Sequence, residues 1–98
     1  MNDSKISVRY ARAIFQSAQE KNILDKVYQD MIFISEICKN KETKEFLHSP
    51  IIIPSKKEAI FHKMLEGNVE KITLSLLDLI VKNGRESFIP AIARNFIH

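Results

Sequence analysis

Glycine occurs only twice in this chain, at Gly67 and Gly84, and proline three times, at Pro50, Pro54 and Pro90. A many-stranded sheet draws on Gly and Pro at its turns, so a chain this poor in them has little turn material for such a fold. The same few residues fall where helices would need stops. Between them, apolar residues recur at helical spacing. The expected fold is therefore all-α, a compact bundle of six helices forming a single helical domain over 1–98. A length of 98 residues excludes a doubly wound nucleotide enzyme or a barrel, yet allows one modest core. Hydrophobic residues make up 45% and charged residues 28%, a globular balance that a wholly disordered chain would not have.

The first helix is expected to begin at an Asp3 or Ser4 cap and run to about Lys21. Asn22 offers a cap for a second, on which Leu24, Val27, Tyr28, Met31, Ile34 and Cys38 mark one face, and the two read as an antiparallel hairpin. Asn40 starts a short third helix that Ser49-Pro50 stops, because proline disfavours helical geometry in the residue before it. Ile51-Ile52-Ile53 reads as an extended connector pinned into the core rather than a strand. Ser55-Lys56-Lys57-Glu58 has capping-box spacing, which predicts a fourth helix to about Leu65, stopped at Gly67. Asn68 opens a fifth, about Val69 to Asn83, ended by Gly84, and a sixth spans about Ser87 to Ile97 with Pro90 in its first turn.

Two of these helices have unusually wide apolar faces. At about 100° per residue, Ala13, Ile6, Tyr10, Ile14, Ala18, Ala11, Phe15 and Val8 cover an arc of about 220° on the first helix. Leu79, Ile72, Leu76, Val69, Ile80, Leu77, Val81 and Leu74 cover about as much of the fifth, with Ser7 and Thr73 as polar exceptions inside the arcs. An outer helix of a small bundle needs little more than about 100°. Either both helices are central and enclosed by the other four, or one edge of each faces outward and the two edges form a groove for a partner helix. In the second case the walls are Ile6, Tyr10, Ala13 and Ser17 on one side and Ile72, Leu76, Leu79 and Asn83 on the other. Ala13 and Ser17 leave room there, and Tyr10 supplies a large amphipathic anchor.

Catalytic chemistry finds little support. Two distant glycines cannot form a phosphate-cradling loop. His48, His62 and His98 fall on different elements and read as surface or boundary residues, and Cys38 reads as a small core hydrophobe. There is no nucleophile, base and orienting acid in a recognisable arrangement, no metal-ligand spacing, and so no expected cofactor. Lys56-Lys57 reads as a solvated face. No apolar run approaches the roughly 20 residues that span a bilayer, so a soluble chain without direct membrane insertion is expected. The net charge of +3 and a pI near 9.1 admit an anionic partner, and a small helical nucleic-acid-binding module is the alternative they suggest. Such a module would gather its cations on one face, whereas here fifteen basic residues are mixed with twelve acidic ones.

Three strings carry a more specific signal: Arg9-Tyr10-Ala11-Arg12-Ala13-Ile14-Phe15, then Phe46-Leu47-His48-Ser49-Pro50, then Leu79-Ile80-Val81-Lys82-Asn83-Gly84-Arg85 followed by Ile89-Pro90 and Phe96. In this order and spacing they resemble the delta-subunit family of bacterial F-type ATP synthases, relatives of the mitochondrial oligomycin sensitivity conferral protein. The resemblance covers the whole chain and ends where the family's N-terminal domain ends, so the family's C-terminal domain is expected to be absent. It implies a six-helix, non-catalytic stator domain, monomeric in isolation, that sits on the catalytic head and binds the N-terminal helix of an alpha subunit. It also implies a peripheral place on the cytoplasmic face of the cell membrane, as part of the complex. The peripheral stalk b subunit would be reached only through the missing C-terminal region. Carried onto matching positions, the alpha-subunit contacts are Tyr10, Ala13, Leu79 and Asn83, with Ser75 one turn before Leu79. Glu86 departs from the pattern, standing where the family often has an apolar residue, and the loop at Gly67-Asn68 is short.

Overall fold

The computed structural model describes the backbone from Asn2 to His98 and the side chains from Lys5 onward. The helices are α1 (Asn2–Glu20), α2 (Leu24–Ile37), α3 (Lys41–His48), α4 (Pro54–Leu65), α5 (Lys71–Lys82) and α6 (Ile89–Ile97), with a 3-10 turn at Glu86–Phe88 leading into α6. The all-α, six-helix reading holds, and no strand occurs among the described residues. None of the described helices is long and apolar enough to cross a membrane.

Helix ends show which local signals were strong. The Asp3 or Ser4 cap lies outside the residues whose side chains are described. Asn22 does not cap α2; it ends α1. Its φ of 59° is left-handed, its N–H donates to Gln19 O (3.1 Å), and the N–H of Ile23 donates to Ala18 O (2.9 Å). That pair of bonds is a Schellman closure with Asn in the position usually held by Gly. Gly84 closes α5 in the same way at φ 69°, with Gly84 N–H to Val81 O and Arg85 N–H to Ile80 O, each 2.9 Å. Asn40 behaves as expected, its Oδ1 accepting from the N–H of Glu42 at 2.8 Å to open α3.

Three expectations fail for local reasons. The Ser55 capping box does not form, because Pro54 with its preset φ already occupies the first turn and Ile53 is the cap residue. Asn68 does not open α5: Glu66 and Gly67 (φ 86°) form a tight turn closed by Asn68 N–H to Leu65 O at 2.8 Å, and the helix starts only at Lys71. The isoleucine run is not pinned into the core. Ser49 Oγ accepts from the N–H groups of Ile51 and Ile52 (3.3 and 3.4 Å), and this turn leaves Ile51 86% exposed.

The core is built around α6. It packs most extensively against α1 and then against α2, whereas α1 and α2 touch each other only slightly. The expected hairpin is therefore two consecutive helices held mainly by a third. Met31, Val27, Ile80, Val81 and Ile92 are wholly enclosed, and Phe15 meets Phe96 with ring centroids 5.8 Å apart, joining α1 to α6. Two polar links fasten α5 to its neighbours. Asp30, buried on α2, accepts from the N–H of Glu70 (2.8 Å) and from Thr73 Oγ1 (2.7 Å), doing from another helix what a capping residue does locally. This explains Thr73, the polar exception in the arc.

Lys57 is the clearest error of the solvated-face reading. It is 2% exposed, and its ammonium donates to Leu47 O at the end of α3 (3.2 Å) and to Glu86 Oε2 (2.5 Å). A charged pair taken out of water needs such hydrogen-bonded geometry. Lys56 and Lys57 look alike in the sequence, and only their positions on α4 separate an exposed lysine from a buried one.

Candidate functional site

The two wide arcs are now accounted for. On α1, the middle of the arc (Ala11, Ile14, Ala18) is core, the Phe15 edge meets α6, and the opposite edge faces out. On α5, Thr73, Leu77, Ile80 and Val81 are core, while Ser75, Leu79 and Asn83 are exposed. Neither helix is enclosed on all sides. Their outward edges lie together as a shallow groove of about 300 Å³ lined by Ala13, Ile14 and Ser17 from α1 and Ile72, Ser75, Leu76 and Leu79 from α5.

Six of the nine residues singled out in the sequence share this groove. Leu79 is the most prominent, 49% exposed on a helix whose other leucines are buried. Leu76 is only 8% exposed and makes floor rather than rim. Tyr10 and Asn83 do not line the cleft but close one end of it, Asn83 Nδ2 donating to Tyr10 Oη at 2.8 Å across the helix pair. With Tyr10 beside Asn83, and Ser17 and Ile72 in the same cleft, α1 and α5 run antiparallel. Ile6 is half-buried and does not reach the cleft. Sequence reasoning missed Ile14 as floor, although its place mid-arc on α1 was a usable signal.

The groove is apolar with hydroxyls at its rim and holds no acid-base pair. Among the described residues no group of His, Cys, Asp and Glu is placed to hold a metal ion. Another apolar depression, about 310 Å³, lies between α2, α3 and α4, with Phe46, Phe61 and Met64 in its walls. Cys38 is there too, but burial pushes its thiol up to about 11, so it stays protonated and unreactive at neutral pH. Beside the groove, His62 on α4 places its Nε2 2.7 Å from Asp78 Oδ2 of α5. The hydrogen bond to Asp78 raises its pKa, and nearby carboxylates add to the effect.

Residues 6–98 match the family model for the ATP synthase delta (OSCP) subunit. The chain belongs to the ATP synthase delta (OSCP) family. It is 33% identical over 97 residues to the ATP synthase subunit delta of Cytophaga hutchinsonii, covering 98% of this chain and 53% of that one. The subunit delta of Symbiobacterium thermophilum is also 33% identical over 97 residues, 98% of this chain and 52% of its own. A chloroplastic subunit delta from Ochrosphaera neapolitana is 30% identical over 98 residues, covering 99% and 55% respectively. The chain thus spans about half the length of the curated relatives it matches. Glu86, the departure from the delta-family pattern, has a local reason in the structure: its carboxylate is the partner of the buried Lys57.

Proposed function

We propose that this chain is a non-catalytic stator domain of an F-type ATP synthase, and that its α1/α5 groove holds the N-terminal helix of an alpha subunit at the top of the catalytic head. The observation that supports the reading is the groove itself. It is an outward-facing apolar cleft between two helices, framed by residues that both the apolar arcs and the family strings select. Tyr10, Ala13, Ser17, Ile72, Ser75, Leu76, Leu79 and Asn83 are its contact set, with Ile6 a peripheral member. A stator needs slow release, and buried apolar anchors supply that better than rim charges do. The link onward to the peripheral stalk belongs, on this reading, to the other half of the relatives' length. The alternative of a nucleic-acid-binding module draws, beyond the pI, on one short basic row, Lys5, Arg9 and Arg12 of α1, too small for a nucleic-acid footprint.

An NMR titration with a peptide from an alpha-subunit N-terminus tests this. Shifts should concentrate on α1 and α5 around Ala13, Ser17, Ile72 and Leu79, and their absence would overturn the assignment. Leu79→Asp should remain helical by circular dichroism, since the side chain is half-exposed. It should bind the peptide roughly tenfold to a hundredfold more weakly, matching the ~1.5–3 kcal/mol that burying a leucine contributes.

A further inference from the structure

We infer that α1 carries a second docking surface on its other flank: the cleft between α1 and α6, with the basic row beside it, takes an amphipathic protein helix whose apolar edge is bordered by carboxylates. No residue of this surface belongs to the α1/α5 groove, so it stands or falls apart from the groove.

At about 100° per residue, the groove residues Ala13 and Ser17 lie on one side of the buried line of Ala11, Ile14 and Ala18, and Val8 and Phe15 lie on the other. On that other side α1 and α6 enclose a cleft of about 300 Å³, whose walls include Val8, Ala11, Arg12, Phe15, Asn95 and Phe96. Ala11 and Phe96 are buried and form its floor, Val8 is half-buried, and Phe15 stands 40% exposed at the lip. A neighbouring depression of about 410 Å³ is lined by Lys5, Val8, Arg9 and Arg12. Val8 and Arg12 belong to both, so the apolar cleft passes directly into the basic row. Lys5, Arg9 and Arg12 are all exposed, and between Asp3 and Glu20 the helix has no carboxylate. Even with Asp3 set against these three cations, this stretch keeps an excess of two positive charges. Ile89–Ile97 of α6 contains no Asp or Glu to offset them.

The occupant has to satisfy both halves at once. A nucleic-acid backbone would meet the cations and leave the apolar cleft empty. A lipid surface takes up apolar side chains that protrude, whereas Ala11 and Phe96 are recessed between two helices. A protein helix suits both halves. Val8 to Phe15 and Lys5 to Arg12 each span seven residues, about 10 Å or two turns of α1, the length over which a partner helix presents side chains at i, i+3 or i+4, and i+7. Its apolar edge enters the cleft and its carboxylates meet the row. The apolar contact holds the partner, while the charges speed the arrival of an acidic helix and turn away a basic one.

The test is an NMR titration of the whole chain with two synthetic amphipathic helices of about 14 residues that share one leucine and phenylalanine edge, bordered by glutamates in one and by lysines in the other. The glutamate peptide should shift the amide signals of Val8, Arg12, Phe15 and Phe96, and should do so equally in the Leu79→Asp variant. The lysine peptide should leave them in place. Arg9→Glu, Arg12→Glu should weaken the glutamate peptide on the order of tenfold at low salt, with the gap closing as salt is added. Val8→Asn, with its fold checked by amide dispersion, should weaken it severalfold at every salt concentration. Equal binding of both peptides, or a folded Val8→Asn variant that binds normally, would overturn the proposal. So would shifts of the same signals by phosphatidylserine vesicles but not by the glutamate peptide, or by raising the concentration of the chain alone. Loss of the shifts in Leu79→Asp would mean that the peptide sits in the α1/α5 groove, which removes this surface and leaves the groove assignment standing.

Discussion

Lys57 and Glu86 show how much one residue's surroundings can outweigh its type. Removing either partner strands the other charge in a site that water barely reaches. Glu86→Ala should therefore cost about 3–5 kcal/mol in a denaturant titration, while the double replacement Lys57→Met, Glu86→Leu should recover most of that loss. If the single and double variants are equally destabilised, the pair is not the source. His62 gives a pH signature. Its folded pKa is raised by Asp78, so the stabilisation is fully present below the ordinary histidine value near 6.5 and is lost as pH rises through the folded value. Thermal melts of the wild type and Asp78→Asn should differ most in mildly acidic buffer and converge in alkaline buffer. Neither partnership was legible in the sequence, where Lys57 stands 29 residues from Glu86 and His62 stands 16 from Asp78. Spacing rules reach only about one helical turn. Cys38 was legible, because its place on an apolar face already told its fate.

At the scale of the helices, periodicity placed all six elements, and local chemistry decided their ends less reliably. Gly84 was readable because a left-handed terminator leaves few alternatives to glycine. Gly84→Ala should cost about 1 kcal/mol by thermal or chemical unfolding, and that cost is backbone strain alone, since an added Cβ meets nothing within 4 Å. A much larger loss would point to a packing role the geometry does not show. Asn22 was misread because asparagine suits both a helix start and a left-handed helix end, and nothing within a few residues separates the two. The start of α5 was misread for a different reason: its cap is Asp30, which comes from α2, 40 residues earlier than the amide it serves. The groove walls were legible as arcs too wide for a small bundle. Which edge of each arc stays open depends on where α6 and α4 pack, and that is settled only by the assembled fold.

At the scale of the molecule, α6 is what lets α1 and α2 share a core, since they meet each other so little. A chain ending after Gly84 should lose the Phe15–Phe96 contact along with Ile92 and Ala93 from the interior, and should show neither cooperative melting nor dispersed amide signals. A folded truncation would mean that α1 and α2 can re-pair directly. The packing of the last helix against the first also sets a load path. A pull exerted on the end of α6 reaches α1, and with it one wall of the groove, through a single packed interface. Tension therefore passes from tail to that wall without crossing α3, while α4, packed against α5, steadies the opposite wall independently of the load.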